Sequence, residues 1–331
     1  MSRTQPAGQP GAPGRRPPFA DRRLLAVLAS VIVLVIGFYV FQGWREGADR
    51  AARRGKLLGA VAAALRAEKP DLDRLGDLMA GLTMLEDADS AAEVLTPRAQ
   101  IELLRGRPDR AYRLFGQIAD APGATAAQQR LGARIQLARQ DSFGGDAATA
   151  KAMLEQVATF SQNAYADSGE AADLFRAWQA SKRLWDHERA KGFAAQLSSG
   201  HADSKESRLV AVFDSFGNRT SEVAVEDLLI DFGDGVPAEL ASLRTALILR
   251  AGQPLDALAA AEKDLLRYAG VGYVRFILAA VLTACVQYSR EGSIERGDYL
   301  QRRNDQLDWL EARAPAGEAL RAQWTQMRAV R

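Results

Sequence analysis

The side chains that could perform acid–base, nucleophilic or metal chemistry are few in this sequence. The only histidines, His187 and His201, lack the H-E-x-x-H spacing that places two imidazoles on one helix face. The segment from Asp231 to Gly235, DFGDG, has features of a kinase metal-binding triplet and of a calcium loop, but no glycine-rich loop, H-R-D motif or closing glutamate accompanies it. We interpret it as a turn. We predict no catalytic, cofactor-binding or metal-binding residues and do not expect an enzyme.

Cysteine chemistry is limited to one thiol. Cys285 has no second cysteine for an intramolecular disulfide or a multi-cysteine metal site. It lies in the apolar run from Phe276 to Val286, which favours a buried small hydrophobe. This run is too short for a bilayer, and Arg275 precedes it, so the stretch from Tyr273 to Tyr288 is predicted to be a buried helix and not a membrane span.

One stretch is long and apolar enough to cross a membrane. The 18 residues from Leu24 to Phe41 carry no charge, and extending them to Trp44 gives 21 residues. At about 1.5 Å per residue, a helix of that length spans the roughly 30 Å of bilayer hydrocarbon. We therefore predict a transmembrane anchor with limits Leu24 and Trp44. A cleaved signal peptide is less consistent with the sequence, because the run exceeds the usual length of about 7 to 15 residues and no small-residue cleavage site follows it.

The anchor divides the chain into four predicted regions. Residues 1–22 form a basic tail rich in proline and glycine, a composition typical of disorder. Residues 23–44 form the transmembrane helix, residues 45–69 a juxtamembrane helix, and residues 70–331 an α-helical repeat domain. The apolar segment from Leu57 to Leu65 could continue directly from the membrane helix or begin the folded domain.

The basic residues flanking the anchor bear on its orientation. Arginines lie on both sides of it, so their count alone does not decide. A short tail with five arginines resists export, whereas long domains translocate largely regardless of charge. We expect a single-pass protein with a cytoplasmic N-terminus and an extracytoplasmic, periplasmic C-terminal domain.

The charge of the large domain limits its partners. Without the first 44 residues, 38 basic and 40 acidic residues remain, a near-neutral balance with no clustered basic face. Nucleic acid, which requires such a face, is therefore not an expected partner.

Helical periodicity runs through the domain from residue 70 onward. Apolar residues recur every three or four positions, as in Leu75, Leu78 and Leu82. Thr125 followed by Gln128 has the form of a capping box, and Thr96-Pro97 is predicted to start a helix. Residues 207–217 could be a strand by their alternation, but no partner strand is evident, so a helix is predicted.

A motif of one small or apolar residue followed by apolar residues at helical spacing repeats along the domain. Its units are 33 to 40 residues apart, the length of one helix-turn-helix repeat. A short side chain is needed where two helices cross at about 8 Å, so we predict that these residues pack at the crossings. The predicted repeat-packing residues are Leu75, Ala111, Phe115, Ala150, Ala190, Ala224 and Ala257.

Two units resemble tetratricopeptide repeats in their residues. The segments from Gly106 to Ala111 and from Gly252 to Ala257 both contain G-x-P-x-x-A, and Phe115 matches the aromatic position of the second helix. The resemblance implies an all-α solenoid of paired antiparallel helices whose concave face binds protein segments. An irregular helical bundle is the alternative fold, because an alanine-rich composition also produces alanine matches. Two final amphipathic helices, marked by Leu307 and Trp324, are expected to cap this array.

These observations leave two classes of function open. One is a membrane-anchored, non-catalytic scaffold that binds a protein partner at the bilayer through its repeats, with no cofactor and no evident small-molecule substrate. The other is an accessory subunit of a membrane-bound enzyme, translocation or envelope-assembly complex in which the transmembrane helix forms part of the contact. The sequence does not identify the partner-binding residues.

Overall fold

The computed structural model of the protein describes residues 22–67, 69–85, 92–120, 122–215, 222–313 and 318–330, and the side chains of all of these except 22–34, 36, 37, 117, 318 and 319. The part described is all-α, without strands. A short 3₁₀ turn at Gly233–Gly235 accompanies the following helices: α1 (Arg22–Leu65), α2 (Leu72–Thr83), α3 (Ala92–Leu104), α4 (Pro108–Ala119), α5 (Ala126–Ser142), α6 (Ala147–Ser168), α7 (Ala171–Arg183), α8 (His187–Gly200), α9 (Lys205–Asp214), α10 (Glu222–Phe232), α11 (Ala238–Arg250), α12 (Pro254–Arg267), α13 (Gly272–Tyr288), α14 (Ile294–Glu311) and α15 (Glu318–Ala329). The all-α prediction is confirmed.

The chain forms two compact units, Met1–Ala88 and Asp89–Arg331. The first unit contains α1 and α2, which pack against each other through the buried side chains of Val61, Leu75 and Leu82. The Asp71 carboxylate begins α2 by accepting hydrogen bonds from the backbone N–H groups of Asp73 and Arg74, each at 3.0 Å. Helix α1 runs without interruption through Leu57–Leu65, so this segment continues the preceding helix and also packs on α2.

The predicted anchor, Leu24 to Trp44, lies within α1. Among the described residues, no helix combines the length and the apolar character that a bilayer span needs. The predicted tail, residues 1–22, lies outside the described part except for Arg22, which is the first residue of α1. Most side chains of the predicted span from Leu24 to Trp44 also lie outside it.

The second unit is a helical repeat array of six helix pairs, from α3/α4 to α13/α14, within the part of the chain that is described. Successive pairs begin 33 or 34 residues apart, except that 45 residues separate the starts of α5 and α7. Each odd-numbered helix from α3 to α11 contacts the next odd-numbered helix, while each even-numbered helix from α4 to α12 packs between the two odd-numbered helices that flank it in sequence. This two-layer stacking is the packing pattern of a repeat array.

Local signals explain many of the helix ends. Thr125 and Gln128 form the predicted capping box, with the Gln128 N–H donating to the Thr125 hydroxyl and the Thr125 N–H donating to the Gln128 side chain. The prediction for Thr96-Pro97 is wrong, because both residues lie inside α3. The Thr96 hydroxyl donates to the carbonyl oxygen of Ala92 at 2.6 Å instead of capping a helix, and the helix continues through the proline.

The remaining predictions of helix type agree with the structure. Residues 205–214 form α9 and not a strand, and the stretch around Cys285 is the buried helix α13. At the C-terminal end, α15 packs on α13, and the buried Trp324 joins Leu307 and Leu310 of α14 in one apolar cluster.

The alanines that we assign to helix crossings differ in burial. Ala111, Ala190 and Ala257 are buried, whereas Ala150 and Ala224 are half-buried. Ala257 belongs to a cluster that also contains Leu278 and Val281 of α13, so its surroundings are formed by another helix.

We predict that Ala257→Leu destabilises the array by about 1 to 3 kcal/mol, because the added methylene groups overpack a filled helix crossing. Urea unfolding of the full chain measures the effect. Ala259→Leu is the matched control, since Ala259 lies exposed on the same helix and should change the free energy of unfolding by less than about 0.5 kcal/mol. Equal effects of the two substitutions would contradict a close crossing at Ala257.

Candidate functional site

Arg183, at the last position of α7, has an almost fully buried guanidinium that joins several helices. Its Nε donates to the Glu239 carboxylate at the start of α11 at 3.3 Å and to the Tyr273 hydroxyl at the start of α13 at 3.3 Å. One terminal nitrogen donates to the side-chain oxygens of Gln140 at 2.6 Å and Asp141 at 2.5 Å, near the end of α5. One buried cation on α7 therefore contacts three other helices, α5, α11 and α13.

Glu239 is the central anion of this network. Its side chain is fully buried, and it accepts hydrogen bonds from Gln179 at 2.7 Å, from Arg183 and from the Tyr273 hydroxyl. A buried carboxylate is tolerated only when charged and polar partners replace its water. We call the network the polar clasp; it comprises Gln140, Asp141, Gln179, Arg183, Glu239 and Tyr273.

The clasp also holds the loop between α12 and α13 against the end of α5. The Gln140 side-chain amide donates to the Gly270 carbonyl at 2.8 Å, and the Gly270 N–H donates to the Asp141 carbonyl at 2.8 Å. A Cβ atom at position 270 would lie 1.9 Å from the Gln140 carbonyl oxygen, so only glycine fits there. The array thus curves until segments 130 residues apart in sequence are hydrogen-bonded.

Burial and nearby charges shift the pKa values of three groups in the clasp. Burial raises the pKa of Asp141, an effect that the nearby Arg183 only partly offsets. For Arg183 itself, burial opposes the charged form, but attraction by Asp141, Tyr273 and Glu239 outweighs it and holds the pKa well above its usual value. Burial also raises the pKa of Tyr273 well above 10. Arg183 is therefore charged at neutral pH.

A groove of about 570 Å³ lies beside the clasp, and we call it the inner groove. It is formed mainly by residues of the odd-numbered helices α5, α7 and α9, with contributions from the ends of even-numbered helices such as α10, and Arg183 is among the lining residues. Its lining includes the rings of Phe175 and Phe232, which pack with centroids 6.2 Å apart. Lys205, which also lines the groove, lies 4.7 Å from the Phe232 ring centroid. The groove therefore combines an aromatic surface with charged side chains from several repeats.

Arginines concentrate along the α5 and α7 faces near this groove. Asp173 is fully buried and accepts from Arg130 at 2.8 to 3.1 Å and from Arg176 at 2.5 Å. Burial, and then repulsion by Arg130, lowers the pKa of Arg134, which forms no ion pair with any residue of the described part. Two guanidinium groups thus pair with one buried carboxylate, and Arg130 is also paired with the exposed Glu170 at 2.9 Å.

The residues considered for chemistry do not assemble into one site. His187 is exposed at the start of α8. Asp231 pairs with Arg208 at 2.5 Å, and the backbone carbonyl of Asp234 accepts from Arg267 at 3.3 Å. Burial raises the pKa of the Cys285 thiol, which disfavours the nucleophilic thiolate. Within the described ranges, no three His, Cys, Asp or Glu side chains are grouped to hold a metal ion.

The residues assigned to repeat packing lie mostly away from the inner groove. Leu75 is on α2 of the first unit, and Ala111 and Phe115 are buried in α4. The residues that shape the site, such as Arg183 and Glu239, were missed by the sequence analysis. No local pattern distinguishes them from solvent-exposed charges, because their partners in other helices are 34 to 90 residues away in sequence.

No family model matches the chain, and no curated protein matches it either. One similar solved structure is a tetratricopeptide repeat protein from Parabacteroides merdae, 13% identical with a TM-score of 0.43, in a match that covers 84% of this chain and 99% of the other. Another is the human IFIT1 dimer with PPP-AAAA, 11% identical with a TM-score of 0.37, covering 83% of this chain and 67% of that one. At TM-scores below 0.5, these similarities assign neither a family nor a function.

We predict that Arg183→Met destabilises the protein by about 3 to 5 kcal/mol, because it leaves the buried Glu239 without its cation. The double variant Arg183→Met with Glu239→Gln should recover part of this loss, since the unpaired buried charge is then removed. Arg208→Met is the control. Its exposed pair with Asp231 should contribute no more than about 1 kcal/mol to urea unfolding. Equal losses in Arg183→Met and Arg208→Met would contradict the clasp.

A second prediction concerns alkaline pH. Burial raises the pKa of Tyr268 from 10 to about 12, and its hydroxyl donates to the Val236 carbonyl. Between these pH values the folded chain keeps a proton that the unfolded chain loses, so the free energy of unfolding falls as the pH rises. In Tyr268→Phe, urea unfolding measured across this range should show a shallower fall. Tyr288→Phe, which changes an exposed ring, should keep the wild-type dependence of the free energy of unfolding on pH. The same dependence in both variants would contradict a raised pKa of Tyr268.

Proposed function

We propose that the protein is a membrane-anchored, non-catalytic scaffold that binds a protein partner through its helical repeats. The observation that carries this proposal is the inner groove, which presents one continuous surface from at least three successive repeats. Aromatic side chains with charged neighbours are typical of surfaces that recognise protein segments. The near-neutral charge of the large domain makes a protein a better match than nucleic acid.

The described end of the predicted anchor supports the membrane part of the proposal. Val35, Phe38, Val40 and Phe41 on α1 are 48 to 67% exposed, and Trp44 is 71% exposed. Such a run of exposed large apolar side chains is unfavourable in water and is expected where a lipid bilayer or another protein covers it. We infer a single-pass protein whose tail, with its five arginines, is cytoplasmic and whose repeats are extracytoplasmic, in the periplasm, because a short basic tail resists export.

A second candidate function differs in what the anchor does. The exposed rings of Phe38 and Tyr39, and of Phe41 and Trp44, form two adjacent pairs with centroids 6.2 Å apart. An aromatic helix surface of this kind could contact a transmembrane helix of a partner. The protein would then be an accessory subunit of a membrane-bound enzyme, translocation or envelope-assembly complex.

Alkaline carbonate extraction tests the anchor. The wild-type chain should stay in the membrane pellet, whereas the double variant Val35→Asp with Phe38→Asp should be released, since each aspartate near the centre of a span costs about 2.5 to 3.5 kcal/mol. The control is Ile230→Asp with Leu266→Asp, which places two aspartates at exposed positions of the repeat array and should not change the fractionation. Recovery of the wild-type chain in the supernatant would reject membrane anchoring.

Site-specific photo-cross-linking in native membranes tests the scaffold. A photoreactive residue at Ser142, which is exposed and lines the inner groove, should give a discrete cross-linked product. The same residue at Ser199, exposed on α8 and absent from the groove lining, is the matched control and should give none. Products from the anchor alone would favour the accessory-subunit alternative, and the absence of any product would contradict both functions.

A further inference from the structure

The turn between α7 and α8 contains a bulky residue where equivalent turns contain glycine. In the turns before α4 and α12, Gly106 and Gly252 have left-handed backbones, with φ of 70° and 77°. Trp185 has the same conformation, with φ of 61°, and is the only residue other than glycine with positive φ in the described part of the chain. All three lie two positions before the first residue of the following helix.

Backbone hydrogen bonds show that the three turns are equivalent. The N–H groups of Arg107, Gln253 and Asp186, each following the left-handed residue, donate to the carbonyl five positions earlier at 2.9, 3.3 and 2.9 Å. This bond is typical of the turn that ends a helix with a left-handed residue, where glycine is favoured because a Cβ atom crowds the backbone. Tryptophan at position 185 is thus strained in a turn that the same chain builds twice with glycine. Residues held in such conformations are often found at functional sites.

The Trp185 side chain lines a cavity of about 470 Å³, together with Trp309 of α14. We call this cavity the tryptophan pocket. Buried residues of the pocket include Leu154, Arg183 and Leu310, whereas Lys151 and Asp186 are exposed at its mouth. A cavity of this volume, lined by both apolar and charged side chains, is large enough to hold one or two side chains of a partner.

The positive charge around this pocket is only partly balanced, because Asp146 attracts the Arg313 guanidinium without forming an ion pair with it. The Arg313 guanidinium lies 4.0 Å from the centroid of the Trp309 ring, and its terminal nitrogen donates to the Gly144 carbonyl at 2.6 Å. The Arg275 guanidinium lies 4.3 Å from the same ring and donates only to neutral oxygens. Among the described residues, Arg313, Arg275 and Lys151 form no ion pair, and the buried Arg313 Nε has no hydrogen-bond partner.

These observations point to an anionic ligand with an apolar group. The two tryptophans offer aromatic surface, and an approaching carboxylate would supply the direct ion pair that Arg313 and Lys151 do not form among the described residues. Glu155 and Asp186 also line the pocket, but Glu155 pairs with Arg189 at 3.3 Å, and the Asp186 carboxylate accepts from the Arg189 backbone N–H at the start of α8. The exposed residues at the mouth leave one side open, which suits a peptide chain that enters with one side chain.

We propose that the tryptophan pocket binds an acidic segment of a protein partner, which inserts one aromatic side chain against Trp185 and Trp309 and places its carboxylates beside Arg313 and Lys151. This inference rests on the proposed scaffold function and adds a binding site outside the inner groove. Because its recognition is partly ionic, the binding weakens as salt concentration rises.

Fluorescence anisotropy on the full chain in detergent tests the pocket with three labelled ten-residue peptides. The first has one phenylalanine among aspartates and glutamates, the second replaces the phenylalanine by serine, and the third replaces the acidic residues by lysines. The first peptide should bind at least about tenfold more tightly than the other two, the ratio that corresponds to losing one strong anchor. Equal binding of the acidic and lysine peptides, or no binding of the acidic peptide, overturns the proposal.

Two variants place the binding in the pocket. Trp185→Gly should weaken the first peptide about tenfold while changing the unfolding temperature by no more than about 3 °C, because glycine relieves the turn as it does at positions 106 and 252. Arg313→Gln should weaken the same peptide and reduce the salt dependence of its binding. Lys263→Gln, at an exposed position outside the pocket, should leave the affinity unchanged. Unchanged affinity in Trp185→Gly and Arg313→Gln overturns the assignment.

Two further measurements distinguish a peptide ligand from a small carboxylate, and a wrong pocket assignment from a wrong scaffold function. If N-acetylphenylalanine binds as tightly as the acidic peptide, the pocket is a site for a small carboxylate, and the peptide assignment is wrong. The Ser142 photo-cross-link reports the scaffold function independently. If that product forms but the acidic peptide does not bind, only the pocket assignment fails; if the product is absent from the wild type, the scaffold function on which the inference rests fails.

Discussion

The packing of the second unit depends on one buried ion pair, because each buried charge needs an opposite charge and hydrogen bonds from the surrounding helices. Transferring a guanidinium or a carboxylate from water to a protein interior costs several kcal/mol per ion, which is recovered only with well-placed partners. Arg183 and Glu239 meet this requirement through hydrogen bonds from four helices, so each helix end must lie within about 3 Å of a defined atom. Apolar contacts elsewhere in the array tolerate small shifts, whereas this network does not. Since Arg183 lines both the inner groove and the tryptophan pocket, the same interaction sets the position of both cavities.

The fold could be anticipated where the physical signal is local. Helical periodicity, the capping box at Thr125 and the G-x-P turns before α4 and α12 are each contained within a few residues, and each corresponds to the structure. Thr96-Pro97 shows the limit of the same reasoning. A hydroxyl followed by proline favours a helix start, but proline is also tolerated inside a helix when packing keeps the helix intact, and α3 is an example.

The candidate site could not be anticipated, because its partners are joined only by the three-dimensional fold. Arg183 and Tyr273 are 90 residues apart, and Gln140 and Gly270 are 130 residues apart. In the sequence, Arg183 follows Lys182 and is no different from an exposed basic residue. Trp185 is an exception, because it precedes Ala190 by five positions, the same offset as from Gly106 to Ala111 and from Gly252 to Ala257. Aligning the repeat units on their alanines would have placed a tryptophan in a glycine position.

The contact between α5 and the loop at Gly270 constrains how this array can evolve. Repeat proteins commonly lengthen or shorten by duplicating or deleting whole units, since each unit interacts mainly with its neighbours. Here, an extra helix pair inserted between α5 and α12 would separate Asp141 from Gly270 and leave Arg183 without part of its network. Units could be added before α3 or after α14 without that penalty. The curvature therefore fixes the number of repeats inside the clasp and leaves the two ends of the array free to vary in length.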